Sequence, residues 1–405
     1  MLRIAVLNKI SRDILNNQFN QFQEVSLEEH PDLVFVRSHD LTKTDLPKSV
    51  IAIGRAGVEV NNIPMDQCNQ KGIAVFNAPG ANANAVKELV LFGLLAAARP
   101  AMEASFAIHS ELVMNEEGQK KIDVESIKSD FVGSELAGKT IFVIGLGKIG
   151  MEVASMCVAL DMRVIGYDPF VRAEHVHDSR IHIVMNVKQG LEVADYVTLH
   201  SALTPETTGM VNSEFLNQMK RGAKLLNFAR GEMIDVVTVR HALQNGHIAR
   251  YVSDFPDRMF ASETISGQAI FFPHLGASTD EAETNAATMI AKQLDDFFRF
   301  GEVRNSVNFP KIEYPIPPGG HSQSRIIVHH KDIPGMLARI TGEVGNLGYN
   351  IAGSLNKSAP KRDYAVTLID LDHDKNRKPL VLLEVTSAIE KIENVTSARI
   401  CSLDF

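Results

Sequence analysis

Residues 140–168 read TIFVIGLGKIGMEVASMCVALDMRVIGYD. The apolar, largely β-branched run from Ile141 to Ile144 predicts a buried strand. Gly145, Gly147 and Gly150 follow at the spacing G-x-G-x-x-G, and the amphipathic run from Met151 to Leu160 predicts a helix. Arg163 to Tyr167 predicts a second strand, which ends in Asp168. This is a βαβ unit with a glycine fingerprint at its first turn and an acid at its second strand end. Gly145 permits the tight turn, Gly147 lets a pyrophosphate approach the backbone, and Gly150 lets helix and strand pack closely. The helix N-terminus offers free N–H groups to phosphates. Asp168 accepts from a ribose 2′-hydroxyl and repels a 2′-phosphate, so the expected cofactor is NAD rather than NADP.

Upstream, short apolar runs alternate with helical stretches. Ile4–Leu7, Leu33–Val36, Val50–Ile53 and Ile73–Phe76 are predicted strands, Ser11 a helix N-cap, Pro64 a first-turn residue and Gly72 a helix stop. Arg37-Ser38-His39 and Gly54-Arg55-Ala56-Gly57 leave strand ends, where open α/β sheets bind ligands. Two arginines there suit an anion, although exposed arginines are common on any surface. A long apolar helix is predicted from Ala85 to about Leu112, kinked at Pro100.

Downstream, further strands are predicted at Tyr196–Leu199, Lys224–Asn227, Arg250–Ser253 and Ala269–Phe272, ending near His200, Arg230, Asp254 and His274. Repeated βα alternation predicts a doubly wound parallel sheet with those four residues on one crevice. A helix runs from about Ser278 to Phe300, and residues 310–322 (PKIEYPIPPGGHS) read as a linker. The remainder reads strand–helix–strand–strand–helix–strand, the ferredoxin-like order.

Composition narrows the class. The chain has 405 residues, a net charge of −8, 45% hydrophobic and 22% charged residues, and three scattered cysteines. No basic footprint for nucleic acid or a membrane surface is present, nor any metal-ligand spacing. MLRIAVLN at the start reads as a strand rather than a signal peptide, and a reducing, cytoplasmic setting is expected.

A nicotinamide site acting on a 2-hydroxy acid needs an arginine for the carboxylate and a histidine for the hydroxyl proton. Arg230 and His274 fit those roles; His200 is the competing histidine. GLGKIG, LTPETTGM, LLNFARGEMID, YVSDF and FFPHLGAST, in this order and spacing, resemble the D-isomer-specific 2-hydroxyacid dehydrogenases. RSH, GRAG, NAPGAN and the NSVNFP segment extend the likeness through Pro310, and VHHKDIPGMLARI…GYNI resembles an ACT domain.

The resemblance implies a Rossmann-type NAD domain at residues 101–284 and a flavodoxin-like substrate domain at 1–100 that resumes at 285–312. A linker at 313–322 and a ferredoxin-like ACT domain at 323–405 complete it. It implies NAD-linked oxidation of a phosphorylated 2-hydroxy acid in serine biosynthesis, serine as effector, and a homo-oligomer (dimer or tetramer). Arg230 becomes the carboxylate ligand and His274 the acid/base. Lys148, Ile149, Ser201, Thr207, Ala229 and Gly276 join the glycines and Asp168 around the cofactor, and Asp254 holds the nicotinamide carboxamide. Arg37, Ser38, Arg55, Ala56, Gly57 and Asn82 contact substrate; His330, Asp332 and Asn350 bind the effector. Two features depart from the family. The glutamate expected shortly after Asp254 is missing from DFPDRM, so either Asp257 takes its place or His274 works without a carboxylate partner; the second is the expectation. His39 stands where a third basic residue is usual. A glyoxylate or hydroxypyruvate reductase, or an NAD-sensing corepressor-like binder, are the alternatives on this scaffold.

Overall fold

The computed structural model describes the chain except residues 9, 115–123, 173, 175, 177, 262–266, 316–321, 360–362, 373–381 and 402–405. The chain forms two compact units, Met1–Ala81 with Glu283–Phe405, and Asn82–Ala282.

The second unit holds a seven-stranded parallel sheet. Its spatial order is Ala269–Phe271, Ile248–Ser253, Ala223–Asn227, Tyr196–Leu199, Thr140–Ile144, Arg163–Tyr167, Ile181–Ile183. Successive strands run outward from Thr140–Ile144 in one direction and then in the other, so the order reverses between Thr140–Ile144 and Tyr196–Leu199. Thr140–Ile144 is buried along its whole length because both faces are covered. One face packs on Val153, Cys157 and the helix Ala83–Ala98, the other on Leu191, Phe215, Val239 and Leu243. Ile181–Ile183 is a short strand that periodicity does not reveal.

The predicted boundary at residue 100 is corrected. Ala83–Ala98 belongs to the second unit, because Val86, Val90, Leu94 and Ala97 bury against Ile141, Val143 and Val252. An apolar helix carries no mark of which sheet it will cover. The helix also ends at Arg99 rather than kinking: Ala101–Met114 is a separate helix, and the pair is bent by 72°. No single helix among the described residues is long and apolar enough to cross a membrane.

The first unit holds two sheets. One is parallel, in the order Phe22–Glu24, Leu2–Leu7, Leu33–Val36, Ala52–Arg55, Ala74–Phe76, the flavodoxin-like arrangement. The helix Asp280–Phe300 packs on it through Ile290, Leu294 and Phe297; a Cβ on Gly54 would meet the Ile290 and Leu294 side chains. The other sheet is antiparallel, Asn350–Ser358, Tyr364–Asp372, Ser322–Lys331, Val395–Cys401, and with helices Met336–Asn346 and Leu382–Glu390 it completes the ferredoxin-like order. Strand alternation divides its core. Ile326 and Val328 face the helices, whereas Ile327, Val366 and Leu368 join the cluster containing Phe297 and Phe309. The predicted linker is therefore shorter than its Pro and Gly content suggests. Val303 bridges Ile312, and the carbonyl of Tyr314 accepts from Arg325 Nη1 at 2.7 Å. Residues 316–321 lie outside the described residues.

Candidate active site

The glycine loop sits at the point where strand order reverses. Gly145 has φ +91, and a Cβ there would lie 2.5 Å from the backbone nitrogen of Ser201, across the switch point. A Cβ on Gly150 would collide with the carbonyl of Gly145. Nothing lies within 4 Å of a Cβ built on Gly147, which N-caps the helix Lys148–Ala159. No acidic residue occupies that helix's first turn, so the dipole end is open to anionic groups. Asp168 has a second task that spacing does not reveal. Its Oδ2 accepts from the N–H of Leu146 at 2.9 Å, inside the glycine loop, and its Oδ1 accepts from Phe170 at 2.9 Å. One carboxylate thus ties the loop to the end of the neighbouring strand and keeps further lone pairs that can accept from hydroxyls. This cradle fits a dinucleotide.

Other predicted cofactor residues lie on the same sheet edge. Ser201 follows Tyr196–Leu199, and its hydroxyl donates weakly to Ile144 O at 3.4 Å. Thr207 closes its own turn, donating to Ala202 O at 2.8 Å and accepting from Thr204 N at 2.8 Å. Ala229 is buried, and its N–H donates to Asn227 Oδ1 at 3.1 Å.

Asn227 shapes the arginine loop. It is fully buried at the end of Ala223–Asn227, and its Nδ2 donates to the carbonyl of Arg230 at 2.8 Å. Arg230 leaves this loop in extended conformation (φ −151) with Nη1 donating to Ala229 O at 2.6 Å. Motif reading overlooks Asn227; a polar residue closing an otherwise apolar strand was the available signal.

Asp254 builds the histidine loop. It is 2% exposed, and its Oδ1 and Oδ2 accept from the N–H groups of Leu275 and Gly276 at 2.7 and 2.8 Å. Its carbonyl accepts from His274 N at 3.0 Å. His274 consequently takes a left-handed backbone, φ 56, uncommon outside glycine and asparagine. Burial raises the Asp254 pKa, opposed by these N–H donors and by the nearby His274. The Phe255 ring lies 5.0 Å from the His274 ring, tilted by 53°.

Asp257, the alternative partner for His274, is engaged elsewhere. Its side chain caps the short turn Arg258–Phe260, accepting from Met259 N at 2.8 Å. Among the described residues no carboxylate is hydrogen-bonded to the His274 ring. His200, the competing histidine, is turned inward: its Nε2 lies 2.9 Å from Thr198 Oγ1, and its Nδ1 is enclosed without a partner among the described residues. Burial lowers its pKa to about 3, so it stays neutral and cannot trade protons near neutrality.

In the first unit the two arginine loops converge. Arg55 Nε donates to the carbonyl of Arg37 at 3.1 Å, and Arg37 Nη1 pairs with Glu283 at 2.6 Å. Burial lowers the Arg55 pKa, with Glu59 opposing and Arg37 adding to the effect. Asn8 shapes the loop: at φ 79 its Oδ1 accepts from the N–H groups of Ser38 and His39 at 3.1 and 2.6 Å. Ala56 N–H donates to Val36 O, and the Gly57 carbonyl accepts from Ala78 N, both at 2.8 Å. Asn82 belongs to the second unit, as N-cap of Ala83–Ala98, and its buried Oδ1 has no partner among the described residues.

The three effector residues do not meet within one chain. Lys331 pairs with Tyr364 and Asn350 with Asp372, at opposite ends of the strand Tyr364–Asp372. That strand spans roughly 27 Å at about 3.4 Å per residue, so His330 and Asp332 sit at one end of the sheet and Asn350 at the other. His330 is also enclosed: its Nδ1 lies 2.8 Å from Lys331 O and its Nε2 2.9 Å from Thr367 Oγ1. Asn350 Nδ2 faces Asp372 Oδ2 at 3.4 Å.

Residues 103–276 match the family described as "D-isomer specific 2-hydroxyacid dehydrogenase, NAD binding domain". The D-3-phosphoglycerate dehydrogenase of Methanocaldococcus jannaschii is 36% identical over 288 residues, 69% of this chain and 52% of that protein. The protein of the same name from Bacillus subtilis is 31% identical over 331 residues, 77% of this chain and 60% of that protein. The chain thus spans little more than half the length of these relatives. The Dictyostelium discoideum protein of that name is 27% identical, covering 87% of this chain and 82% of its own. Among solved structures, the NAD+-bound 3-phosphoglycerate dehydrogenase of Entamoeba histolytica superposes with a TM-score of 0.58 at 25% identity, covering 76% of this chain and 98% of its own.

Proposed function

We propose, for a chain that belongs to the D-isomer-specific 2-hydroxyacid dehydrogenase family, that it oxidises D-3-phosphoglycerate to 3-phosphohydroxypyruvate with NAD. The observation that carries this reading is the juxtaposition on one sheet edge of the glycine cradle with Asp168, the Arg230 loop and the His274 loop. Each loop is braced by a buried polar residue, Asn227 or Asp254, which is the preorganisation that positioning chemistry requires. Bound NAD supplies the hydride acceptor. Arg230 grips the substrate carboxylate through its guanidinium fork and polarises the C2 oxygen. His274 takes the C2 hydroxyl proton as hydride leaves C2, and returns it in the reverse direction. Asp168 accepts from the adenosine ribose and discriminates against a 2′-phosphate. By resemblance, Arg37, Ser38, Arg55, Ala56, Gly57 and Asn82 contact the substrate's carboxylate or phosphate.

The test is the appearance of NADH absorbance on mixing enzyme, NAD and D-3-phosphoglycerate, run beside NADP and beside unphosphorylated D-glycerate. Turnover confined to NAD and the phosphorylated acid is expected. Faster reduction of glyoxylate or hydroxypyruvate than of the phosphorylated keto acid would make the protein a reductase instead. Arg230→Ala should abolish turnover; a protein that serves only as an NAD-sensing binder would be indifferent to it.

For the antiparallel domain the reading is feedback by serine. Because one chain separates Asp332 from Asn350, the effector would be shared between two copies in a homo-oligomer. Serine should then raise the melting temperature and slow turnover. A shift with another amino acid and none with serine would reassign the effector.

A further inference from the structure

Two asparagines that carry no motif signal hold the turn Arg37-Ser38-His39. Asn8 lies just past the strand Leu2–Leu7, and Asn62 lies just before the helix Met65–Lys71. Asn8 Oδ1 accepts from the N–H groups of Ser38 and His39 at 3.1 and 2.6 Å. Asn62 Nδ2 donates to the carbonyls of Arg37 and His39 at 3.3 and 2.8 Å. Four backbone groups of a three-residue turn are thus held by two side chains. Arg55 joins the same network, because its Nε donates to the carbonyl of Arg37 at 3.1 Å. All of these residues lie in the first unit.

The turn is on the surface, where water satisfies such groups without help. Holding it with side chains brings two local costs instead. Asn8 takes a left-handed backbone, φ 79, which asparagine tolerates better than most residues but only glycine enters freely. Asn62 keeps its Oδ1 buried with no partner among the described residues, and buried polar atoms are rarely left so. Turning that amide over would set its oxygen against two carbonyl oxygens, so the network itself fixes the orientation. Strained and unsatisfied groups that persist in a fold concentrate where a ligand must be held.

The network commits the backbone and leaves the charged side chains to a ligand. Arg37 pairs with Glu283 at 2.6 Å, with both side chains partly exposed, and an ion pair of that kind is weak enough to exchange for another anion. Arg55 has its Nε committed, and its two Nη groups carry its remaining donors. A Cβ on Gly57 would fall on the Arg55 guanidinium, although Gly57 does not have a positive φ. The missing side chain there makes room for the arginine rather than for an unusual backbone.

We propose that Asn8 and Asn62 are positioning residues for the anionic substrate, fixing the backbone from which Arg37 projects and the place of Arg55 beside it. The inference rests on the reading of these two arginines as substrate contacts. Their guanidinium groups are then presented as one preformed clamp, so the asparagines act on affinity and not on the hydride-transfer step.

The probe is D-3-phosphoglycerate, titrated calorimetrically into the full chain saturated with NADH, which fills the dinucleotide cradle and offers no hydride acceptor. Asn8→Gly removes the shared acceptor and relieves the left-handed backbone. Asn62→Ala removes both donors together with the orphan oxygen. Each variant is expected to melt close to the wild type, to bind the probe at least fivefold more weakly, and to raise KM while kcat stays within about twofold. Arg37→Ala should weaken binding by at least as much, which places the titrated anion at this loop. Asparagines with only a structural task would instead give variants that melt lower and bind as the wild type does. That result, a wild type that does not bind the probe, or binding indifferent to Arg37→Ala would each overturn the proposal. Binding that follows the expected pattern without NADH formation from NAD would uphold the positioning role and overturn the phosphoglycerate-oxidising reading.

Discussion

The backbone N–H of His274 donates to the carbonyl of Asp254 at 3.0 Å, and the carboxylate of the same aspartate takes the next two N–H groups of the loop. One buried side chain therefore sets the strained backbone from which the proposed base projects. Asp254→Ala removes both side-chain acceptors and should lower kcat by about 100-fold, the scale expected when a reacting group is misplaced by an ångström. Asp254→Asn keeps one acceptor oxygen and should fall between. Steady-state kinetics check both; an Ala variant with wild-type kcat would show that the loop holds its shape unaided.

Asp257 should matter little to catalysis. Its carboxylate caps the turn at Arg258–Phe260. Asp257→Ala is expected to change kcat less than threefold and to cost no more than about 1 kcal/mol of stability as a lost cap. A hundredfold loss of kcat with an altered pH profile would instead make Asp257 the partner of His274.

The fingerprint glycines should separate by experiment. A methyl group on Gly150 meets the Gly145 carbonyl, so Gly150→Ala forces the backbone apart and should lower both stability and NAD affinity. Gly147 is open on that side with an ordinary φ of −66. Gly147→Ala should melt with the wild type yet bind NAD at least tenfold more weakly, about 1.4 kcal/mol, because the added methyl occupies the pyrophosphate approach. Calorimetric melting and NAD titration read the two effects apart.

Stability should fall on mild acidification. Burial lowers the His329 pKa from 6.5 to about 4 and the His200 pKa from 6.5 to about 3. Below pH 6.5 the unfolded chain gains protons that the folded chain refuses, so this contribution is full above pH 6.5 and lost as pH falls toward 4. Each histidine contributes a slope of at most about 1.4 kcal/mol per pH unit in that window. Urea unfolding at pH 7, 6 and 5 should show the loss, and His329→Phe should flatten it in the first unit.

Arg325 and Asp370 are paired in two places, at 2.6 and 2.9 Å, with exposures of 0% and 3%. Arg325 Nη1 also donates to Phe300 O and Tyr314 O at 2.9 and 2.7 Å, which fastens the antiparallel sheet to the end of Asp280–Phe300. Asp370→Ala strands a buried guanidinium and should cost about 3–5 kcal/mol. Replacing both residues by apolar ones of similar volume should restore much of that loss. Denaturant titration of the single and double variants checks the pair.

Much of the site was legible because its signals are local. The G-x-G-x-x-G spacing followed by an acid after one helix and one strand fixes the cradle without reference to distant residues. Arg230 and His274 were legible as polar residues closing apolar strands. Their bracing was not: Asn227, unread, and Asp254, read only as a crevice residue, act through hydrogen bonds to loops whose path depends on the neighbouring strands. His200 and His274 look alike in sequence, and only burial separates the inward, neutral ring from the one on the loop.

The sequence by itself determined most of the alternation of elements in the three sheets, the short strands Phe22–Glu24 and Ile181–Ile183 excepted, because periods of 2 and 3.6 residues are properties of the local backbone. It determined the nucleotide cradle for the same reason. Tertiary structure decided which sheet Ala83–Ala98 covers, that Asp332 and Asn350 lie at opposite ends of one strand, and that His329 is buried with neither ring nitrogen paired among the described residues. Those outcomes depend on which apolar faces meet and on strand direction in space. An apolar face specifies that it must be buried; its partner is set only when the whole chain competes for the same contacts.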